Sequence, residues 1–335
     1  MNYVRSLAAL SRSDEPQFGG KSAALGELLA AEIPVPPGFA LSTAAYERFV
    51  AQSELAPVIE RALSAGTAAA EPIAEAVRGA PVPDAVVDEL AGAYRELGEP
   101  AVAVRSSAVG EDSAEATFAG QQETFLWVRG VDGVCAAVRD CWASLYSAPA
   151  IAYRARLGGA TRPAMGVTVQ EMVDAEISGV MFTCNPVSGD PSMIAINASW
   201  GLGLGVVGGE VTPDDYLVSK VTREVVREQI GTKAVQYVPR PSGDGAQRIE
   251  VAPERRQVGS LTPEAISSLV EVGRRIERHF GSHQDVEWAI PSSGEVFVVQ
   301  SRPVTTVNKA AKPKPPRSAI SLVMGTFGVE GEHGP

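Results

Sequence analysis

The sequence predicts a mixed α/β (α+β) protein in two lobes, on three observations. Residues 1–165 open with about a hundred residues of mostly helical pattern, whose apolar positions recur every three to four residues. Residues 166–306 are mostly short runs with apolar residues at alternate positions, the period of a half-buried strand. From 307 to 335 the chain carries "NKAAKPKPPRSA", the basic, proline-rich composition of a linker and tail.

In chain order, "FGGKSAALGELLAA" places Gly19 and Gly20 ahead of Lys21 and Ser22, then a helix with Leu25, Leu28 and Leu29 on one face. It is no P-loop. That loop needs a glycine where Glu15 stands and a buried strand where the polar "SRSDEPQF" runs. A helix N-terminus with a lysine still suits a phosphate; the plainer alternative is a helix behind a Gly-Gly turn with a solvated lysine. "PVPPG" is a turn, and "STAAYERFVAQS" a helix behind a Ser-Thr cap. Helical stretches follow from Ala56 to Leu97, broken at Pro72 and at "APVPD". "PAVAVRSSA" is a short apolar strand ending at Arg105. Arg105 either anchors the strand to a carboxylate or serves as a second phosphate cation beside Lys21. "GEDSAEATFAGQQ" is a loop, "ETFLWVRG" a strand, and "DGVCAAVRDCWASLYS" a helix that buries Cys135 and Cys141.

The second lobe opens with "MGVTVQEMV" and "SGVMFT", joined by a turn at Asp174. The first of these reads as a strand edge whose backbone offers one donor and one acceptor, enough for an adenine, or as a plain core strand. "MIAINASW" leads into "GLGLGVVGG", which contains Gly203-x-Gly205-x-x-Gly208. That is the dinucleotide fingerprint, but the glycines and Pro213 behind it forbid the helix it requires, so it reads as a flexible loop. "YLVSKVTREVVREQI" is a hairpin. "TPEAISSLVEVGRRIERHFG" is a helix capped by Thr262, with Pro263 at its first position and Gly281 at its end. Ile266, Leu269, Val270 and Ile276 line its buried face.

"DVEWAI" and "EVFVVQSRPV" form a last hairpin around "PSSG". If Glu287 pairs with Gln300, Trp288 faces Val299, and Val286, Trp288, Phe297 and Val299 fill the buried side. Asp285 and Glu287 then stand beside Gln300 and Arg302 on the other side. Opposed Cβ atoms are about 5 Å apart, so a carboxylate and an amide oxygen reach one hard cation with a guanidinium next door. Such a guanidinium suits phosphate.

Composition narrows the classes. Hydrophobic content of 45%, charged content of 21% and no apolar run of membrane length fit a soluble protein without a membrane partner. A net charge of −11 argues against a nucleic-acid partner. Three cysteines, at 135, 141 and 184, have neither disulfide nor metal spacing and point to the cytoplasm.

Taken together, "FGGKSAALGEL", "IPVPPGFALSTAAY", "AVRSSAVGEDSAEATFAGQQETFL", "VQEMVDAEISGVMFTCNPVSGD" and "DVEWAI…VFVVQSRPV" resemble the ATP-grasp nucleotide-binding region shared by phosphoenolpyruvate synthase, pyruvate phosphate dikinase and rifampicin phosphotransferase. The resemblance implies a two-lobed ATP-grasp fold with ATP between the lobes and Mg2+ as its companion. It implies Lys21 and Arg105 on the phosphates, the loop around Gly120 closing over them, and Thr183 near the nucleotide. It further implies Gln170, Glu171, Met172 and Val173 at the adenine, Glu287 and Gln300 on the metal with Asp285 in support, and Arg302 on the transferred phosphates. Where relatives read Gly-Leu-Gly-Glu, this chain has Leu204 in the acidic place, so no role is carried over there.

Family members also carry a swivelling domain with a catalytic histidine in a Thr-Gly-Gly…Ser-His-Ala setting. None of His279, His283 and His333 has that setting. The resemblance therefore implies an AMP-forming dikinase-type subunit that passes the β-phosphoryl of ATP to a histidine on a partner, as in split phenylphosphate synthases acting on phenol or cresol. A fragment of a longer enzyme, or an ADP-forming ATP-grasp ligase, are the alternatives.

Overall fold

The computed structural model describes residues 2–63, 66–109, 123–156 and 163–304. Two antiparallel sheets organise them. The first is built from β1 (Val4–Ser6), β2 (Gly38–Leu41), β3 (Val102–Ala108), β4 (Thr124–Val128) and β5 (Met165–Glu171), in the order β1-β2-β5-β3-β4. Its helices are α1 (Glu15–Phe18), α2 (Gly20–Ala30), α3 (Thr43–Gln52), α4 (Leu55–Leu63), α5 (Ala70–Gly79), α6 (Asp84–Glu96), α7 (Gly130–Ser144) and α8 (Ala148–Arg156). Phe49 and Trp142 stack at 4.8 Å in the core these helices share with Val104 and Val167. Burial keeps the thiols of Cys135 and Cys141 well above their ordinary pKa, and no cysteine is bonded to another.

The second sheet follows from β6 (Ala175–Phe182), β7 (Met193–Trp200), β8 (Asp214–Ser219), β9 (Val225–Gln229), β12 (Gln284–Pro291) and β13 (Phe297–Pro303), in the order β13-β12-β6-β7-β8-β9. A separate ribbon, β10 (Val235–Pro239) with β11 (Ala246–Glu250), sits beside it. Between the strands lie α9 (Leu204–Val207), α10 (Pro253–Arg256) and α11 (Pro263–Phe280). The Thr262 hydroxyl accepts from the Ala265 N–H to cap α11, and Gly281 ends it in the left-handed region. Ile266, Leu269, Val270 and Ile276 are buried against Met181, Ile194 and Tyr216, as their spacing predicts. No helix among the described residues is long and apolar enough to cross a membrane.

Four sequence expectations need correction. Pro72 does not interrupt a helix; it lies in the first turn of α5, where its missing N–H would have no intrahelical partner. The strand through Arg105 continues to Ala108 because Ser106 and Ser107 are buried and paired with Val167 and Gly166. β5 is no edge: β2 and β3 flank it, and the passage between sheets comes after Glu171, beyond the expected change at 165. Finally, "GLGLGVVGG" is not all loop, since Leu204–Val207 form one helical turn.

α2 lies between the sheets. Leu25 and Leu28 are buried with Trp288 and Val298 in the second core, each worth roughly 1.5–3 kcal/mol. At its start, Gly19 holds φ +80°, and a Cβ there would stand 2.1 Å from the Ser107 carbonyl oxygen. Glycine is what lets α2 approach β3 so closely.

Candidate functional site: a cleft between the two sheets

Between the sheets opens a cleft of about 450 Å³, walled by β3, β4 and residues 170–173 on one side and by β12, β13 and α9 on the other. The register of β12 with β13 sets Asp285 opposite Arg302 and Glu287 opposite Gln300, the pairs expected from alternation. The next pair differs. Trp288 lies opposite Val298, because Val299 is an extra, bulged residue; Val286, Trp288 and Val298 are buried, whereas Phe297 and Val299 are only partly so. At the bulge, the Val299 carbonyl is within reach of the other sheet.

Arg105 uses it. One guanidinium N–H of Arg105 donates to the Val299 carbonyl at 2.8 Å and another to Glu287 Oε2 at 2.9 Å. This pair joins the two sheets and is largely shielded, with side chains 11% and 20% exposed. Arg105 Nε is buried with no partner among the described residues, an unusual state for a charged donor. The anchoring reading of Arg105 therefore holds, its strand being tied to a carboxylate, and its guanidinium also lines the cleft. Arg302 donates through Nε to Asp285 Oδ2 at 2.9 Å. Burial raises the pKa of Asp285 above the ordinary 3.8; the charge of Arg302 and its hydrogen bond work against that, and the nearby Glu287 adds to it.

At the other end, Gln170 is buried and its amide donates to the Pro36 carbonyl at 3.3 Å. The backbone N–H groups of Glu171 and Met172 are already given to Pro37 and Ala101, both at 2.9 Å. The Val173 N–H has no partner among the described residues, and Val173 lines the cleft. Ala103, Leu126, Leu202 and Leu204 give the surrounding wall an apolar surface.

Of the residues named from sequence, Arg105, Gln170, Glu171, Met172, Val173, Glu287, Gln300 and Arg302 line this one cleft. Asp285 stands behind Arg302. Lys21 is not in the wall: only 5% exposed, it donates through Nζ to the Ser106 carbonyl at 2.7 Å, next to Arg105 along β3. Thr183 is buried as well, its hydroxyl accepting from the Gln284 N–H at 2.8 Å. Gly120 lies outside the described residues. His279 and His283 are held by Glu27 and Glu277, at 3.1 and 2.7 Å, away from the cleft. Sequence reasoning missed the Val299 carbonyl and the apolar wall. The run Phe297-Val298-Val299, which breaks strict alternation, was the signal for the bulge.

Among the described residues no three His, Cys, Asp or Glu side chains form a metal cage. Glu287 and Gln300 instead offer one carboxylate and one amide oxygen side by side. That donor set fits magnesium, which keeps waters and takes its remaining ligands from substrate phosphates.

Two antiparallel sheets closing on a cleft of arginines, carboxylates and a hinge backbone make this an α+β protein of the ATP-grasp fold. The chain belongs to the pyruvate phosphate dikinase AMP/ATP-binding domain family, whose model matches residues 15–320. It is 41% identical over 341 residues to the probable phosphoenolpyruvate synthase of Methanothermobacter thermautotrophicus, covering 97% of this chain and 49% of that protein. It is 42% identical over 320 residues to the probable phosphoenolpyruvate synthase of Archaeoglobus fulgidus (91% of this chain, 42% of that protein). Phosphoenolpyruvate synthase of Pyrococcus furiosus is 38% identical over 362 residues (92% and 44%). The chain thus spans less than half the length of each of these relatives. Among solved structures, D-cycloserine synthetase DcsG aligns at 10% identity with a TM-score of 0.32, over 85% of this chain and 63% of that one. No residue correspondence follows from so low a score.

Proposed function

We propose that this chain is the ATP-binding and ATP-cleaving unit of a dikinase-type phosphotransferase. The observation that carries this reading is the convergence, in one cleft, of Arg105 from the first sheet with Glu287, Gln300 and Arg302 from the second. Adenine rests against 170–173, with the Val173 N–H as donor. Arg105 and Arg302 neutralise the phosphate chain, and Lys21 adds charge at the start of α2, beneath β3. Glu287 and Gln300 hold magnesium, with Asp285 in support through Arg302. When bound, that ion draws charge from the phosphate oxygens, so that positioning and neutralisation supply most of the catalysis. With water, ATP yields AMP and inorganic phosphate, and the β-phosphoryl passes to a histidine outside this sequence, on a partner subunit or on further chain. From there it moves to a small-molecule acceptor.

A phenol or cresol acceptor rests on the resemblance to split phenylphosphate synthases alone. The relatives' names favour a second reading, in which the chain is the nucleotide-binding part of a phosphoenolpyruvate synthase.

The test is ATP labelled at the β-phosphate, incubated with magnesium, the chain and extract of its host. AMP together with acid-labile label on a histidine-bearing polypeptide is expected. Lys21→Ala and Glu287→Ala should abolish both while leaving the fold intact. ADP without protein label would replace this reading with an ADP-forming ligase.

A further inference from the structure

Resting on that nucleotide reading, we propose that the Arg105–Glu287 ion pair is a latch admitting a polyphosphate only together with a divalent cation. Among the described residues, the charged side chains lining the cleft are Arg105, Arg302, Glu171 and Glu287, two of each sign. Both arginines are engaged, Arg105 with Glu287 and Arg302 with Asp285. The described walls therefore offer a polyphosphate no net positive charge.

A bare nucleotide that takes Arg105 leaves Glu287 unpaired and facing the phosphates with like charge. Stripping one partner from a shielded ion pair costs more than the pair itself is worth. A cation-bound phosphate chain avoids that cost, because Glu287 passes to the cation as the guanidinium passes to phosphate oxygens. Arg105 is prepared for the exchange. Its contact to the Val299 carbonyl holds the guanidinium in place, and its buried Nε has no partner among the described residues in the latched arrangement. Since the partners sit on β3 and β12, release of the latch removes one contact between the sheets, which stay joined through α2. Glu287 thus discriminates against metal-free nucleotide by repulsion as much as it attracts the metal form.

The test is equilibrium dialysis of labelled ATP against the full chain, in EDTA and in excess magnesium, for wild type and Glu287→Gln. Wild type should bind ATP at least about tenfold more weakly in EDTA, and Glu287→Gln should tighten metal-free binding by about tenfold. A folded Glu287→Gln protein, checked by circular dichroism, whose metal-free affinity is no higher than wild type overturns the latch. Arg105→Ala gives a second readout without nucleotide: freed from its arginine, Glu287 should gain Mn2+ binding detectable by electron paramagnetic resonance, and unchanged Mn2+ binding overturns the proposal. Wild type that binds ATP in neither buffer removes the nucleotide reading and the latch with it. Wild type that binds magnesium–ATP normally, with Glu287→Gln unaltered in EDTA, removes the latch alone.

Discussion

Arg105 and Asp214 show two uses of charge out of water. Arg105 sits at the cleft, and its Nε has no partner among the described residues. Asp214 is fully buried and complete: it accepts from the Gly231 and Ser260 N–H groups at 2.9 and 2.8 Å, from the Ser260 hydroxyl at 2.7 Å, and from Lys233. Lys233 is likewise fully buried. Asp214 therefore pins the turn after β9 and the approach to α11 onto β8. Asp214→Ala should cost about 3–5 kcal/mol in urea unfolding, because it strands a buried ammonium. A loss below about 1 kcal/mol would mean that Lys233 finds other partners or water. Neither residue's role was legible from the letters. "PDDY" and "GTKA" carry no periodic signal, and the pairing spans a hairpin that only the fold closes.

At the scale of elements, the helix α11 and the pairing of Glu287 with Gln300 were legible because caps and alternation are local properties of the chain. The bulge at Val299 was not, since four apolar residues in a row, Val296 to Val299, leave open which one is extra. The central place of β5 was also hidden, because β2 and β3, which flank it, lie far back in the sequence. The approach of α2 to β3 is the element contact most exposed to test. Gly19→Ala puts a methyl into the Ser107 carbonyl and strains a left-handed φ, so it should destabilise by about 2 kcal/mol or more. It should also weaken ATP binding, since Lys21 moves with the helix. Calorimetry and dialysis on one preparation check both. A variant of wild-type stability and affinity would show that α2 can shift without consequence.

Across the whole molecule, the sequence order of the lobes is not their packing order. Leu7, Phe18, Leu25 and Leu28, from the first thirty residues, are buried with the second sheet, while β3 and β5 belong to the first. The chain packs α2 between the sheets, and the cleft forms where the segment 171–173 and the Arg105–Glu287 pair meet. Composition could show two textures but not this interleaving, which depends on which apolar face meets which. The most direct measurement is a crystal structure of the chain with magnesium and a non-hydrolysable ATP analogue. The expected result is phosphates on Arg105 and Arg302, the metal on Glu287 and Gln300, and adenine against 170–173. A nucleotide bound outside this cleft, or one bound with Arg105 still closed on Glu287, would contradict it.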